Sequence, residues 1–285
     1  MSYSYLKSVI YFFLALILGS LNDVVLKHLC INNVQVCQAI FFRFLFGVLT
    51  MLPVVITYDR KALRTKFLAI NVVKGCLLSI GMWLWGIGVK SIPLSIVSTI
   101  GFAMPLFVLL LSFVILKEHI SAKLLGATLA GFIGIVLIML PQKTHLNFHI
   151  ILLLTAVLLF SALDILNKMY INSDQIITTM LYSTLTAALV IFLLSYHDWS
   201  HIPQNSFYGL LYLGIGNNAL TYCLLKAFKG ANASALAPFR YLEVFISTGL
   251  GYAFFGESPG MHIYVGAFIV AVSTFLIGYG QNQEQ

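Results

Sequence analysis

Ionisable residues lie inside long apolar segments of this chain at repeated spacings. Asp23 and Lys27 are four residues apart in the first apolar segment, and Asp164 and Lys168 repeat that spacing in a later one. Residues four apart share one face of a helix, and an acid that precedes a base is the favourable order for an ion pair. Charges are costly in hydrocarbon, so such residues are candidates for a functional site. Two interpretations follow: gating charges that exchange partners during a conformational cycle, or structural ion pairs.

A second set of charges is predicted near the middle of the membrane. Arg240 and Glu243 lie seven to ten residues into an apolar segment, and their spacing of three lets them share a helix face. Pro238 precedes them and can break the helix, as Gly101 and Pro105 can in an earlier segment. Interrupted spans at corresponding places are typical of substrate sites in transporters. We predict that Arg240 and Glu243 line a site; the alternative is a structural pair.

Arg43 is a further charged candidate, about 10 Å deep in its segment at 1.5 Å per residue. Its guanidinium could bind a ligand carboxylate through two parallel hydrogen bonds. The alternative is an ion pair with Asp23, Asp164 or Glu243. Glu257 lies at the end of a segment beside a loop, and we interpret it as structural.

Aromatic residues near these charges are candidates for stacking with a planar base or a cation. Trp83 is deep enough in the third apolar segment to face a cavity, and Tyr222 corresponds to it 139 residues later. Phe102 and Tyr241 adjoin the interrupted segments and are included in the predicted site. The alternative for Trp83 is packing between helices or a place in the aromatic belt of the membrane surface.

The composition is that of an integral membrane protein. Of 285 residues, 60% are hydrophobic and 9% are charged, whereas soluble domains are about 25% charged. The net charge of +7 is typical of the Lys/Arg excess on cytoplasmic loops and does not indicate a nucleic-acid partner. The sequence contains no motif for catalysis, a metal or a cofactor, so we predict that the protein is not an enzyme and has no cofactor.

Apolar runs of about 20 residues predict an all-α integral membrane protein whose helices cross a lipid bilayer. With the N-terminus inside, nine Lys and Arg residues fall on inner segments and three on outer ends, which places both termini in the cytoplasm. The ten predicted spans are 8–29, 37–57, 66–88, 93–115, 121–140, 149–171, 176–196, 206–228, 233–255 and 261–280.

The chain is predicted to contain two five-helix repeats, residues 1–145 and 146–285. A shift of 141 residues superimposes the two Asp–Lys pairs, and a shift of 139 pairs Gly75 with Gly214. Because five is an odd number, the second repeat is inverted in the membrane. Inverted repeats are the architecture of alternating-access carriers, with the site between the halves. A channel or a membrane enzyme does not require this symmetry.

Several short segments resemble a known family. The chain is similar to the EamA-type members of the drug/metabolite transporter superfamily over nearly its whole length, and more narrowly it resembles the S-adenosylmethionine uptake transporters of obligate intracellular bacteria. The segments that carry this resemblance are SLNDVVLKHL (20–29), IFFRFLFG (40–47), GFAMPLFVLLLS (101–112), ALDILNK (162–168) and APFRYLEVFIS (237–247).

The resemblance implies uptake of S-adenosylmethionine through a bacterial inner membrane, with exchange for S-adenosylhomocysteine as one option. The sequence leaves a monomer and a homodimer open as the transporting unit. An amino-acid or drug exporter of the same fold is an alternative, and so is a non-transporting scaffold or membrane enzyme. We hypothesise that the sulfonium or ammonium group binds Glu243 or Asp23, the carboxylate binds Arg240 or Arg43, and the adenine stacks on Trp83 or Tyr241.

Overall fold

The structure, a computed structural model, describes residues 3–58, 64–101, 103–117, 148–196 and 199–257, and the single positions 122, 125, 126, 129 and 133. Every regular element within these residues is a helix, which confirms the predicted all-α class. Apart from those single positions, the predicted fifth and tenth spans lie outside the described residues.

Five of the described helices are long and apolar enough to cross a membrane, so the chain is a multi-pass membrane protein. They are α1 (Tyr3–Ile31), α2 (Val36–Tyr58), α3 (Leu68–Ser91), α6 (Phe148–Met169) and α7 (Ile176–Ser195). Large apolar side chains are exposed on their outer faces, for example Val73 of α3 and Leu193 of α7. Contact with lipid tails accounts for such faces, because a water-soluble protein rarely exposes large apolar patches.

Helix α8 (Phe207–Gly230) has the length of a span but is more polar. Asn217 and Asn218 lie near its middle, and Asn217 is buried. Buried amides need hydrogen-bond partners, which lipid tails cannot supply. We therefore expect the asparagine face of α8 to lie in the interior of the bundle.

Two of the predicted spans are interrupted. The first consists of α4 (Leu94–Gly101) and α5 (Met104–Leu111), which continues into a π-helical turn at Ser112–Leu116. The second consists of one turn, α9 (Ala233–Leu236), a 3-10 segment (Ala237–Leu242) and α10 (Glu243–Phe255). These breaks fall where proline and glycine predict them, since neither residue sustains a regular helix. They place Arg240 in the 3-10 segment and Glu243 at the start of α10.

The first part of the chain, α1–α5, packs against the second part, α6–α10. Helix α1 lies mainly against α8, α2 lies between α7 and α8, and α3 lies between α6 and α7. A close crossing joins α2 and α8 at Gly47 and Gly214: a Cβ on Gly214 would lie 2.8 Å from the backbone nitrogen of Gly47. Small residues permit this approach, as is typical of helix pairs in membranes.

Candidate functional site

A cavity lies between the two parts of the chain, beside the middle of α1 and α8. Its volume is about 170 Å³, and α1–α3, α6–α8 and both interrupted segments contribute to its lining. The charged residues among its described lining are Asp23, Arg43, Asp164, Arg240 and Glu243. With all five ionised, three carboxylates face two guanidinium groups, and the cavity carries one negative charge in excess.

Asp164 and Arg240 form an ion pair across the cavity wall. Arg240 Nη2 donates to Asp164 Oδ2, which joins α6 to the 3-10 segment. The guanidinium also lies over the ring of Phe12 on α1, 5.4 Å from its centroid. Asp164 therefore binds a partner on another element, and the prediction that it pairs with Lys168 on its own helix is corrected. The interruption of the ninth span brings the arginine within reach.

Asp23 also binds outside its own helix. Trp85 Nε1 of α3 donates to Asp23 Oδ2 at 3.0 Å. Lys27, one turn further along α1, lies 2.8 Å from Glu257 Oε1 instead. The prediction of an Asp23–Lys27 pair is corrected in the same way, because each side chain finds a partner across a helix interface.

Lys27 joins three elements at one end of the bundle. Its Nζ donates to the carbonyl of Ile92 at 3.2 Å and to Glu257, whose Oε2 accepts the backbone N–H of Leu94 at 3.1 Å. These bonds join the end of α1, the start of α4 and the end of α10. Glu257, interpreted from sequence as structural, is thus part of a contact between the two parts of the chain.

Lys168 makes a corresponding contact at the opposite end. Its Nζ donates to the carbonyl oxygens of Phe228 at 2.9 Å and Ala231 at 2.6 Å. Lys168 follows Lys27 by 141 residues, and Ala231 follows Ile92 by 139. Both lysines therefore bond a backbone carbonyl just before an interrupted span.

Arg43 lies deep among α1, α2 and α8. It is 4% exposed, and its Nε donates to Asn217 Oδ1 at 3.0 Å. Its Nη1 is buried and has no hydrogen-bond partner among the described residues, and the same holds for Nδ2 of Asn217. Within the described part of the chain no carboxylate lies within ion-pair distance of Arg43, although Asp23 acts on it electrostatically.

Glu243 is the least constrained of the five charged lining residues. Its side chain makes no hydrogen bond or ion pair with another described residue, although Arg240 and Asp23 act on it electrostatically. A Cβ on Gly19 of α1 would lie 4.0 Å from its Oε1. The glycine therefore leaves room beside a free carboxylate.

Two of the predicted aromatic residues, Trp83 and Tyr222, do not line the cavity. Trp83 is not part of the cavity lining, whereas Trp85 is. Tyr222 is 38% exposed and lies under the ammonium of Lys226 rather than in the lining. Phe102 and the side chain of Tyr241 lie outside the described residues, so their roles stay predictions.

Sequence reasoning missed Trp85 and Asn217. The sequence contained a signal for Trp85, because Leu78, Met82 and Trp85 are spaced so that they share one face of a helix. All three line the cavity. For Asn217 the only signal was an uncharged amide in the middle of a span.

Comparisons with known proteins agree with this architecture. The EamA-like transporter family matches twice, at residues 6–140 and 147–279. The S-adenosylmethionine uptake transporter of Rickettsia prowazekii (strain Madrid E) is 34% identical over 282 residues, which cover 98% of this chain and 95% of the relative. The riboflavin transporter of Vibrio cholerae serotype O1 (strain ATCC 39315 / El Tor Inaba N16961) is 28% identical over 242 residues, covering 82% and 80% of the two chains.

A solved structure described as a crystal structure of a protein is 13% identical and covers 98% of both chains with a TM-score of 0.78, which shows a shared fold. The two matches to the family together span nearly the whole sequence. This chain belongs to the EamA-like transporter family.

Proposed function

We propose that this protein takes up S-adenosylmethionine through a bacterial inner membrane. The observation that carries the proposal is the set of ionisable groups that line the cavity, three carboxyl and two guanidinium groups, which leave one negative charge in excess when all five are ionised. S-adenosylmethionine has a sulfonium, an ammonium and a carboxylate, and thus one positive charge in excess. A cavity and a ligand of opposite net charge attract each other strongly when water is excluded. A relative with this function in its name is 34% identical over nearly the whole chain.

The free carboxylate of Glu243 is our first candidate to bind the sulfonium or the ammonium, with Asp23 as the second. Arg240 is already neutralised by Asp164, which leaves Arg43 as the better partner for the substrate carboxylate. Trp85 lines the cavity and Trp83 does not, so Trp85 replaces Trp83 beside Tyr241 as a candidate for stacking with the adenine.

Transport is proposed to proceed by alternating access in ten spans that form two inverted repeats. The double match to the family supports two repeats. We place the C-terminal end of α1 outside the cell, where Lys27 and Glu257 close the path, and Lys168 at the inner end. The cavity of about 170 Å³ is smaller than the roughly 300–1,000 Å³ that hold drug-sized ligands, so loading requires the cavity to widen. The transporting unit is proposed to be a monomer, with a homodimer as the alternative.

Uptake of labelled S-adenosylmethionine into liposomes that contain the purified protein tests the proposal. We expect saturable uptake, and stimulation by internal S-adenosylhomocysteine if the protein is an exchanger. Folded protein that shows no saturable uptake would refute the substrate while leaving the family unchanged.

Riboflavin is the second candidate substrate because of the similarity to the Vibrio cholerae riboflavin transporter. Riboflavin is uncharged near neutrality and leaves the excess charge of the cavity unbalanced. We therefore expect excess riboflavin to compete weakly with S-adenosylmethionine. Strong competition and riboflavin uptake would favour this second function, and net outward flux of amino acids would favour an exporter.

A further inference from the structure

We infer that the carboxylate of the substrate binds Arg43 and that Asn217 is the residue that positions the Arg43 guanidinium for this contact. The inference rests on the proposed function and assigns one end of the substrate to one corner of the cavity. The corner lies between α1, α2 and α8, whereas the Asp164–Arg240 pair joins α6 to the 3-10 segment.

The two arginines of the cavity differ in what holds them. Arg240 donates to the carboxylate of Asp164 and lies over Phe12, so both its charge and one of its faces are occupied. Arg43 has only the neutral oxygen of Asn217 as a hydrogen-bond partner among the described residues. A substrate carboxylate thus meets a guanidinium at Arg43 that no carboxylate of the described residues contacts directly.

The crossing of α2 and α8 fixes this arrangement. Asn218 Nδ2 donates to the carbonyl of Gly47 at 2.7 Å and to Thr50 Oγ1 at 2.9 Å, which sets the register of the two helices. Arg43 lies one turn before Gly47, and Asn217 immediately precedes Asn218. The Nε–Oδ1 bond between Arg43 and Asn217 therefore holds the guanidinium in one orientation.

Unused donors point to an acceptor that the described residues do not supply. Arg43 Nη1 and Asn217 Nδ2 are both buried without a partner. Buried donors are normally satisfied, and each unsatisfied one calls for an explanation. A carboxylate has two oxygens and can accept bonds from a guanidinium and an amide at once.

Among the described residues, this corner has no counterpart at the position related to it by the repeat. Leu78 of α3 and Asn217 of α8 each lie three residues after the paired glycines Gly75 and Gly214, and both line the cavity. An apolar leucine cannot orient an arginine. The substrate is therefore expected to bind in one direction, with its amino-acid carboxylate toward α2 and α8.

Substituting Asn217→Asp tests the inference, because the new carboxylate occupies Arg43 and repels the carboxylate of the substrate. The probes are S-adenosylmethionine and its decarboxylated analogue, which keeps the sulfonium, the ammonium and the adenine. Each competes with labelled S-adenosylmethionine for uptake into liposomes. We expect the unaltered protein to prefer S-adenosylmethionine by about tenfold or more, and Asn217→Asp to lose or invert that preference.

The matched control is Asn167→Asp, the same chemical change in another buried asparagine of the cavity lining on α6. Asn167→Asp should change the affinity for both probes in the same direction, and S-adenosylmethionine should remain the better competitor. If Asn217→Asp is not recovered as folded protein, Asn217→Leu serves in its place. It removes the hydrogen bond that orients the Arg43 guanidinium, so the preference for S-adenosylmethionine over its decarboxylated analogue should fall about tenfold.

Two results would overturn the inference while the proposed function stands: equal competition by both probes in the unaltered protein, or a preference unchanged in folded Asn217→Asp and Asn217→Leu proteins. An equal change in Asn167→Asp would overturn it as well, since added negative charge alone would then explain the result. Absence of any S-adenosylmethionine uptake by the unaltered protein would instead contradict the proposed function.

Discussion

Replacing Glu257 by Gln should open the end of the bundle that Lys27 closes. The Lys27 and Glu257 atoms are 2.8 Å apart, and the two side chains are 11% and 19% exposed. A solvent-exposed ion pair contributes about 0–1 kcal/mol to stability, whereas removal of one partner of a buried ion pair costs about 3–5 kcal/mol. The Lys27–Glu257 pair is partly buried and lies between these limits, so we assign it about 2 kcal/mol of stabilisation of the closed state. Since about 1.4 kcal/mol corresponds to tenfold in an equilibrium constant, opening should become about 30-fold more favourable.

The assay is accessibility of the cavity from outside the cell. The four native cysteines are replaced, and Thr221 of the cavity lining is changed to Cys. A membrane-impermeant maleimide added to intact cells then reports how often the outer end opens. We expect the Glu257→Gln change to raise the labelling rate at Thr221→Cys by about 10- to 30-fold, because the pair contributes only to the state closed at that end.

Asp174→Asn is the matched control, since it makes the same change at the opposite end of the bundle. Asp174 Oδ2 accepts hydrogen bonds from Thr65 Oγ1 at 2.5 Å and Asn71 Nδ2 at 3.0 Å. This variant should leave outside labelling unchanged. An unchanged rate in folded Glu257→Gln protein, or an equal increase in Asp174→Asn protein, would refute the reasoning.

Three further substitutions give expected outcomes. Asp164→Asn leaves the partly buried Arg240 without its carboxylate partner. We expect the free energy of unfolding to fall by about 2–3 kcal/mol, measured as lower thermal stability in detergent together with reduced uptake. Trp85→Phe keeps the ring face but loses the bond to the α1 carboxylate, so KM should rise severalfold with little loss of folded protein. Gly214→Ala forces a Cβ to within 2.5 Å of a neighbouring side chain and should reduce the yield of folded protein, whereas Gly249→Ala, with no atom within 4 Å, should not.

The membrane fold was predictable because its signal is local. Continuous apolar runs predict spans regardless of what they pack against, and α1, α2, α3, α6 and α7 fall where those runs lie. Proline and glycine also act locally, so the breaks in the fourth and ninth spans could be expected at Pro105 and Pro238. How the helices pair could not be read in this way, because it depends on the close crossings that glycines such as Gly47 permit.

The candidate site was predictable only in its charges. A charged side chain in an apolar run is conspicuous on any helix face, so Arg43 and Glu243 could be singled out. Their partners could not, because Arg240 and Asp164 are 76 residues apart in sequence and meet only through tertiary packing. The choice of Trp83 over Trp85 missed the face of α3 that lines the cavity, which is set by the position of its neighbours.

Lys27 and Lys168 on the one hand, and the charged residues of the cavity on the other, are expected to have different functions. Lys27 and Lys168 bond backbone carbonyls at opposite ends of the bundle, and a flexible ammonium with three donors suits contacts that form and break. The acids and arginines of the cavity are held near its middle, where a ligand replaces water. A change in a cavity charge should therefore alter which molecule is bound, whereas a change in either lysine should alter which end opens. If a lysine substitution changed the preference between S-adenosylmethionine and its decarboxylated analogue, this division would be wrong, because closure and recognition would then share the same groups.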